Sequence, residues 1–238
     1  MSDTTYDISV VIPAYNQAGL MVRLLDSLAA QTLAHRLEIV VVNDCSPDDT
    51  GDVVQAWMAN DNLPCATQYH CLEKNSGPGV ARNAGLKLAQ GHIVCFTDTD
   101  CVADPQWVEF LIDKIDEERD IIGVGGSVEP LSINSIYALY YHYNHTLEPL
   151  KVDRIPYLIT CNCCYVRDCL LAVGGFDETI PFPGGEDIAA SIHLYKKGYH
   201  FAYSSGALIY HDYRDNFNKF KRTWYCYGYG TSLVMHRL

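Results

Sequence analysis

The stretch Ile93-Val94-Cys95-Phe96-Thr97-Asp98-Thr99-Asp100-Cys101 sets the problem of this sequence. An apolar run suited to a buried strand passes directly into two carboxylates spaced i, i+2. If the chain stays extended, alternate residues share a face, so Asp98 and Asp100 point one way and Thr99 the other. Two carboxylates so close repel unless solvent or a positive charge separates them. The pair is either a solvated strand end or a holder of a cation.

Around this stretch the first hundred residues alternate strand and helix patterns. "ISVVIP", "LEIVVV" and "HIVCFT" are β-branched or apolar runs, and "PCATQYHCL" is a weaker one between them. The gaps each hold one helix, which is the signature of βαβ units and a mostly parallel sheet. Leu20, Met21, Leu24, Leu25 and Leu28 trace one apolar helix face. Ser46-Pro47-Asp48-Asp49 reads as a helix start with Ser at the cap and Pro at the first helical position, and Asp104-Pro105 repeats the device before "QWVEFLIDKI". After about residue 120 come a strand "IIGVGGSVE", an aromatic helix "INSIYALYYHYNH", a strand "YLITCNCCYVR" and a short helix "DCLLAVGG". Next is a helix opened by Glu186-Asp187 and closed by Gly198, then a strand "HFAYSSGALIYH". One domain of residues 1–238 is expected, with residues 1–120 as one half and 121–238 as the other.

In open α/β sheets ligands bind beyond the carboxyl ends of the strands. The residues just past each strand therefore bear on function. Pro13-Ala14-Tyr15-Asn16 comes after the first, Asn43-Asp44 after the second, "EKNSGPGVARNAG" after the third, and Asp98-Thr99-Asp100 after the fourth. Aromatic and polar groups thus converge at one edge, as a nucleotide site requires.

The 238 residues carry 29 acidic against 17 basic side chains, a formal charge of −12, which argues against nucleic acid as a partner. An acidic chain that holds a phosphorylated ligand needs a metal ion or a local cluster of donors. The polar N-terminus lacks a signal-peptide pattern and no run is long enough to span a membrane, so the chain reads as cytoplasmic. Its ten cysteines lie mostly in apolar runs and read as reduced, buried small hydrophobes. Cys161-Asn162-Cys163-Cys164 suggests zinc, but no second C-x-x-C or paired His accompanies it.

The motifs "VVIPAYN", "VVVNDCSPDDT", "NSGPGVARNAGL", "FTDTDC", "VGGFDE" and "GGEDIAASIHLYKKGY", in this order, resemble family 2 glycosyltransferases of the GT-A fold over roughly residues 7–212. The resemblance implies an α/β fold with a Rossmann-like, mostly parallel sheet. Its first half would bind a nucleotide-sugar donor, with uridine the commonest base, and its second half a glycan, lipid-linked or other hydroxyl acceptor. It implies a base pocket at Pro13, Ala14, Tyr15, Asn16 and Asp44, although the family usually has an acid where this chain has Asn43. Arg82 would lie near the diphosphate; the alternative for Arg82 is an exposed helical residue in a surface ion pair. A divalent cation, Mn²⁺ or Mg²⁺, would take Asp100 as ligand, with Asp98 on ribose or metal-bound water, Thr99 between them and His211 as a third ligand; a structural histidine is the other reading of His211. Asp187 would be the general base of an inverting transfer, Glu186 would hold the acceptor or a loop, and Asn162 would sit near the sugar.

Other readings stay open at this point. "VCFTDTDCV" also fits a haloacid-dehalogenase-type phosphatase with Asp98 as nucleophile, except that such a motif normally comes after the first strand. A non-catalytic sugar-nucleotide or glycan-binding module would keep the same motifs. Tyr137, Tyr140, Tyr141 and Tyr143 read as helical core packing. Trp224, Tyr225, Tyr227 and Tyr229 beside Lys219, Lys221 and Arg222 could stack an acceptor sugar, close over the site or contact a membrane, the last placing the protein at its inner face. The chain stops soon after, in the manner of a longer protein cut there.

Overall fold

The computed structural model describes residues 7–117, 121–149, 155–213 and 215–237. The first strands and helices alternate as the periodicity requires: β1 (Ile8–Ala14), α1 (Ala18–Ala29), a 3₁₀ turn at Ala34–Arg36, β2 (Leu37–Asn43), α2 (Thr50–Met58), β3 (Ala66–Cys71), α3 (Pro78–Leu88) and β4 (Ile93–Thr97). Next come β5 (Cys101–Ala103), α4 (Trp107–Glu117), β6 (Ile121–Pro130), α5 (Ile136–Tyr143), β7 (Asn162–Val166), α6 (Arg167–Leu171), α7 (Glu186–Lys196), β8 (His200–His211) and α8 (Phe217–Arg237).

All eight strands form one sheet in the order β3-β2-β1-β4-β7-β6-β8-β5. The pairs β1–β2, β2–β3, β1–β4 and β6–β8 are parallel, whereas β4–β7, β6–β7 and β5–β8 are antiparallel. Both sheet faces are covered, which is why β1 and β2 are apolar at nearly every position. Val10 and Ile12 of β1 pack with Met21, Leu24, Leu25 and Leu28 of α1. Val11, Val40 and Val42 face the other way, against Ala81 and Leu86 of α3. Gly85 is what lets α3 lie so close, since a Cβ there would stand 2.3 Å from Val11 Cγ1.

Several local expectations are corrected. β4 stops at Thr97, and Asp98–Asp100 form a turn closed by the Cys101 amide donating to the Asp98 carbonyl at 3.1 Å. The two carboxylates therefore leave a turn and do not share one face of an extended strand. The unanticipated β5 then pairs Cys101 opposite His211. Helix α2 begins at Thr50, not near Ser46, because Ser46, Asp48 and Thr50 are engaged by the start of α1. Helix α4 begins at Trp107, a few residues after the Asp104-Pro105 signal. β7 starts only at Asn162, and residues 157–161 are irregular. Of the α5 tyrosines only Tyr141 is buried in the core, while Tyr140 and Tyr143 are exposed. The aromatic tail is a 21-residue helix.

Candidate active site

The edge where β1, β2 and β4 end is built by short side chains that satisfy loop amides. Asn16 takes a left-handed φ of 57° and donates its amide to Ser46 Oγ at 3.0 Å. Gln17 and Ala18 donate theirs to Thr50 Oγ1 and Asp48 Oδ2, each at 3.0 Å. "SPDDT" thus satisfies the orphan donors at the start of α1. Tyr15 is left 46% exposed beside Pro13 and Ala14, free to cover a flat ring. Asp44 is buried and already occupied, with its carboxylate accepting from the Ser76 amide at 2.7 Å and the Gly77 amide at 2.8 Å. Burial raises its pKa, and the two amides oppose that rise. Its evident work in the structure is to pin the loop that enters α3.

Arg82 is no surface residue. It is 4% exposed, with its guanidinium held by Asp98 at 2.8 Å and Glu186 at 2.6 Å. The positive charge beside Asp98 is thus Arg82, a partner the strand reading did not foresee. Both carboxylates push the Arg82 pKa upward against its burial. Its buried Nε has no acceptor among the described residues. Next to it Asn83 exchanges hydrogen bonds with the Phe176 backbone, donating at 2.9 Å to its carbonyl and accepting at 2.8 Å from its amide. The dipeptide Arg82-Asn83 therefore ties "VGGFDE" and Glu186 to the carboxyl end of β4.

On the other side of the same turn stands a second cluster. His211 Nε2 lies 3.3 Å from Asp100 Oδ1, and the Asp212 amide donates to the Asp100 carbonyl at 2.8 Å. Asp100, Cys101 and His211 are all buried, and one ligand atom from each lies within 4.8 Å of the other two. The buried His211 Nδ1 lacks a partner among the described residues. Tyr213 stacks on the imidazole at 4.8 Å between ring centroids. A carboxylate and an imidazole this close, with one ring nitrogen unpartnered among the described residues, suit a divalent cation. Cys101 was missed in the sequence, where nothing tied it to His211. Asp98 lies outside this group. The Cys161–Cys164 run does not form a metal cluster among the described residues; Cys163 and Cys164 pack on opposite sheet faces.

Glu186 and Asp187 open α7, both buried. Glu186 accepts from the Gly184 amide at 2.7 Å as well as pairing with Arg82, so it holds a loop. Burial and the neighbouring Asp187 charge push its pKa up to about 7, with Arg82 opposing. Burial likewise raises Asp187, against the pull of Arg82 and of backbone donors at Ile188 and Thr160. Asn162 is buried with its side chain engaged inside the fold. Its carbonyl accepts from Trp107 Nε1 at 2.8 Å and its amino group donates to the Ser127 and Ala207 carbonyls at 2.7 and 2.9 Å.

Helix α8 roofs this corner. Gly230 lies directly on the loop before α7, where a Cβ would stand 1.6 Å from the Gly184 carbonyl oxygen. Gly230→Ala is therefore expected to lift α8 off the Glu186–Asp187 loop. It should cost about 1–3 kcal/mol in urea unfolding, the range for overpacking. Gly228→Ala, whose Cβ meets nothing within 4 Å, should be neutral or slightly stabilising. Equal stability of the two variants would show that α8 does not bear on the loop.

Known proteins resemble this chain in sequence and fold. Residues 9–170 match the family model for Glycosyl transferase family 2. The poly(ribitol-phosphate) beta-N-acetylglucosaminyltransferase TarS of Staphylococcus aureus (strain Mu50) is 35% identical over 159 residues, which are 61% of this chain and 27% of TarS. The glucosyl-dolichyl phosphate glucuronosyltransferase of Haloferax volcanii is 26% identical, over 93% of this chain and 75% of that protein. The crystal structure of S. aureus TarS 1–349 has a TM-score of 0.68 at 24% identity, covering 86% of this chain and 60% of that one. The Pyrobaculum calidifontis mannosyltransferase PcManGT, in complex with GDP-Man and Mn²⁺, also has a TM-score of 0.68, at 23% identity over 88% of this chain and 58% of its own. These structural likenesses are of fold, the GT-A α/β fold with its mostly parallel sheet. With the family model matching well over half its length, the chain belongs to glycosyl transferase family 2.

Proposed function

We propose that this chain transfers a sugar from a nucleoside diphosphate sugar to an acceptor hydroxyl with inversion at the anomeric carbon. The observation that carries the reading is one turn, Asp98–Asp100, that joins two clusters. On one side Arg82 sits between Asp98 and Glu186, next to Asp187. On the other, Asp100 faces His211. Residues 1–120 serve as the donor half and residues 121–238 as the acceptor half. Tyr15 covers the base beside Pro13, Ala14 and Asn16. Asp44 shapes the loop beneath it while its remaining lone pairs are open to a base N–H. The unpartnered Nε of Arg82 suits an anionic diphosphate.

Asp100 and His211 would hold Mn²⁺ or Mg²⁺, with Cys101 adjoining and Asp98 engaged by Arg82. When bound, that cation supplies positive charge for the departing diphosphate. Asp187 takes the acceptor proton as the hydroxyl oxygen bonds to the anomeric carbon. The bond from that carbon to the diphosphate oxygen breaks, and its electron pair leaves with the nucleotide. A proton affinity raised by burial suits a base working near neutral pH. TarS has been crystallised with UDP-GlcNAc and PcManGT with GDP-Man, so a UDP-sugar is the first donor to try. The acceptor is a glycan, a lipid-linked carrier or another polyol on the α8 side, where α8 also gives the chain its membrane contact. The phosphatase alternative gives way to membership of a family of sugar transferases.

The test is a thermal-shift screen of UDP- and GDP-sugars with and without Mn²⁺, then donor hydrolysis in chelator. A ligand at a hundred times its Kd stabilises the native state by about 2.7 kcal/mol. Hydrolysis should vanish with chelator and return with metal, and Asp100→Asn should lose metal-dependent donor binding. Full hydrolysis in excess chelator would remove Asp100 and His211 from the reaction. Donor binding without hydrolysis or transfer would make the chain a binding module.

A further inference from the structure

Ten of the fifteen large apolar residues left exposed among the described residues lie on two segments, Ile133–Tyr143 and Phe217–Met235. On α5 the exposed set is Ile136, Leu139, Tyr140 and Tyr143, spaced i, i+3, i+4 and i+7. That is the apolar stripe of an amphipathic helix turned outward, while Ala138 and Tyr141 face the core. On α8 a shallow depression at Gly228 is rimmed by Trp224, Tyr225, Tyr229 and Leu233, again one helix face. The two faces adjoin: Tyr140 meets Trp224 at 5.9 Å and Tyr137 meets Phe217 at 6.4 Å between ring centroids. An apolar face spread over two helices needs a reason on a water-soluble surface.

Charge says what covers it. Residues 131–147 and 216–237 contain no Asp or Glu, although an even share of the chain's 29 acids would put about five in those 39 positions. Lys219, Lys221 and Arg222 project into solvent there, and among the described residues only Lys219 of the three is in an exposed ion pair, to Asp215 at 3.3 Å. The other 199 positions hold all 29 acids against 13 Lys and Arg, so these two segments carry a basic balance in an otherwise acidic chain. A second copy of the chain is a poor occupant, because two-fold pairing would set the same basic, acid-free patch against itself. Tyr and Trp rimmed by Lys and Arg is the composition of a helix lying at a bilayer interface. Among the described residues no helix is long and apolar enough to cross a membrane, so contact is with the surface.

We propose that the joined outer faces of α5 and α8 rest on a membrane surface rich in anionic lipid. The inference rests on the transferase reading only in its consequence. Helix α8 roofs the Glu186–Asp187 loop through Gly230, so a docked molecule would present its base to an acceptor carried by the membrane.

The experiment is vesicle flotation of the full chain, with phosphatidylcholine alone or with about 30% phosphatidylglycerol, scored beside vesicle-free donor hydrolysis. The protein should float with the anionic vesicles and lose binding as salt rises from about 0.05 to 0.5 M. Lys221→Glu with Arg222→Glu should weaken binding by about thirty-fold or more, given the attraction of each basic residue to such a surface. Ile136→Ser, Tyr143→Ser and Tyr225→Ser together, all at positions more than 60% exposed, should abolish flotation and leave donor hydrolysis unchanged. Equal flotation with both vesicle types, or an unaffected serine variant, would overturn the proposal. So would a dimer in light scattering that the serine variant dissolves, which would give the face to a second copy. Flotation by a protein without donor hydrolysis would sink the transferase reading and keep the membrane surface.

Discussion

Asp187→Asn is expected to lower sugar transfer by about a hundred- to ten-thousand-fold, the usual share of a positioned base. The amide keeps the shape of the side chain and removes its ability to take a proton, so donor affinity in the presence of Mn²⁺ should change little. Its neighbour supplies an independent check through pH. Glu186 and Asp187 are buried together, and burial with the neighbouring Asp187 charge brings Glu186 to about 7. The acid limb of kcat/KM should therefore carry an apparent pKa that belongs to the pair. Glu186→Gln removes one negative charge and should move that limb to lower pH. Profiles on donor hydrolysis are sufficient if the acceptor is still unknown. An Asp187→Asn enzyme with full turnover would transfer the base role to Glu186, and an unmoved acid limb would show that the two carboxylates are not coupled.

The second large effect is on stability. Arg82→Leu leaves Asp98 and Glu186 without their shared cation, one of them fully buried. Removing one partner of a buried ion pair costs about 3–5 kcal/mol, because the other charge stays in a medium that solvates it poorly. Urea unfolding should show the loss, and pH gives its sign. Glu186 binds its proton more tightly folded than unfolded, so its stabilising contribution is complete at acid pH and disappears as pH rises through about 7. Without Arg82 that penalty grows, so the deficit of Arg82→Leu should widen from pH 5 toward pH 8. Adding Glu186→Gln should restore part of the loss. A deficit independent of pH would mean that Arg82 contributes packing, through its contact with Phe176, more than charge.

How far the sequence reached depends on which interactions are local. The β-branched runs of β1 and β2, the apolar face of α1 and the close of α7 at Gly198 are set by neighbours within one or two turns, and all appeared where the periodicity put them. The helix start read at Ser46 failed for a related reason. A short polar side chain can satisfy any nearby orphan amide, and Ser46 and Asp48 satisfy those of α1, some 30 residues away in sequence.

The candidate site divides the same way. The residue types that could do the chemistry were legible from their positions after successive strands. Their partners were not. An i, i+2 spacing says that Asp98 and Asp100 are close, but a turn sends one to Arg82, 16 residues back, and the other to His211, across a strand pairing that spans more than a hundred residues. Asn162 looked like a ligand contact and became a bracket for Trp107 because a buried amide must find its hydrogen bonds wherever the fold supplies them. The sequence by itself determined an acidic α/β protein with its polar residues gathered at one sheet edge, because strand and helix periods are written in adjacent residues. The tertiary structure alone decided which carboxylate meets a guanidinium, which meets an imidazole and which lies under α8, because charge pairing depends on distances of a few ångströms between segments that sequence spacing does not relate.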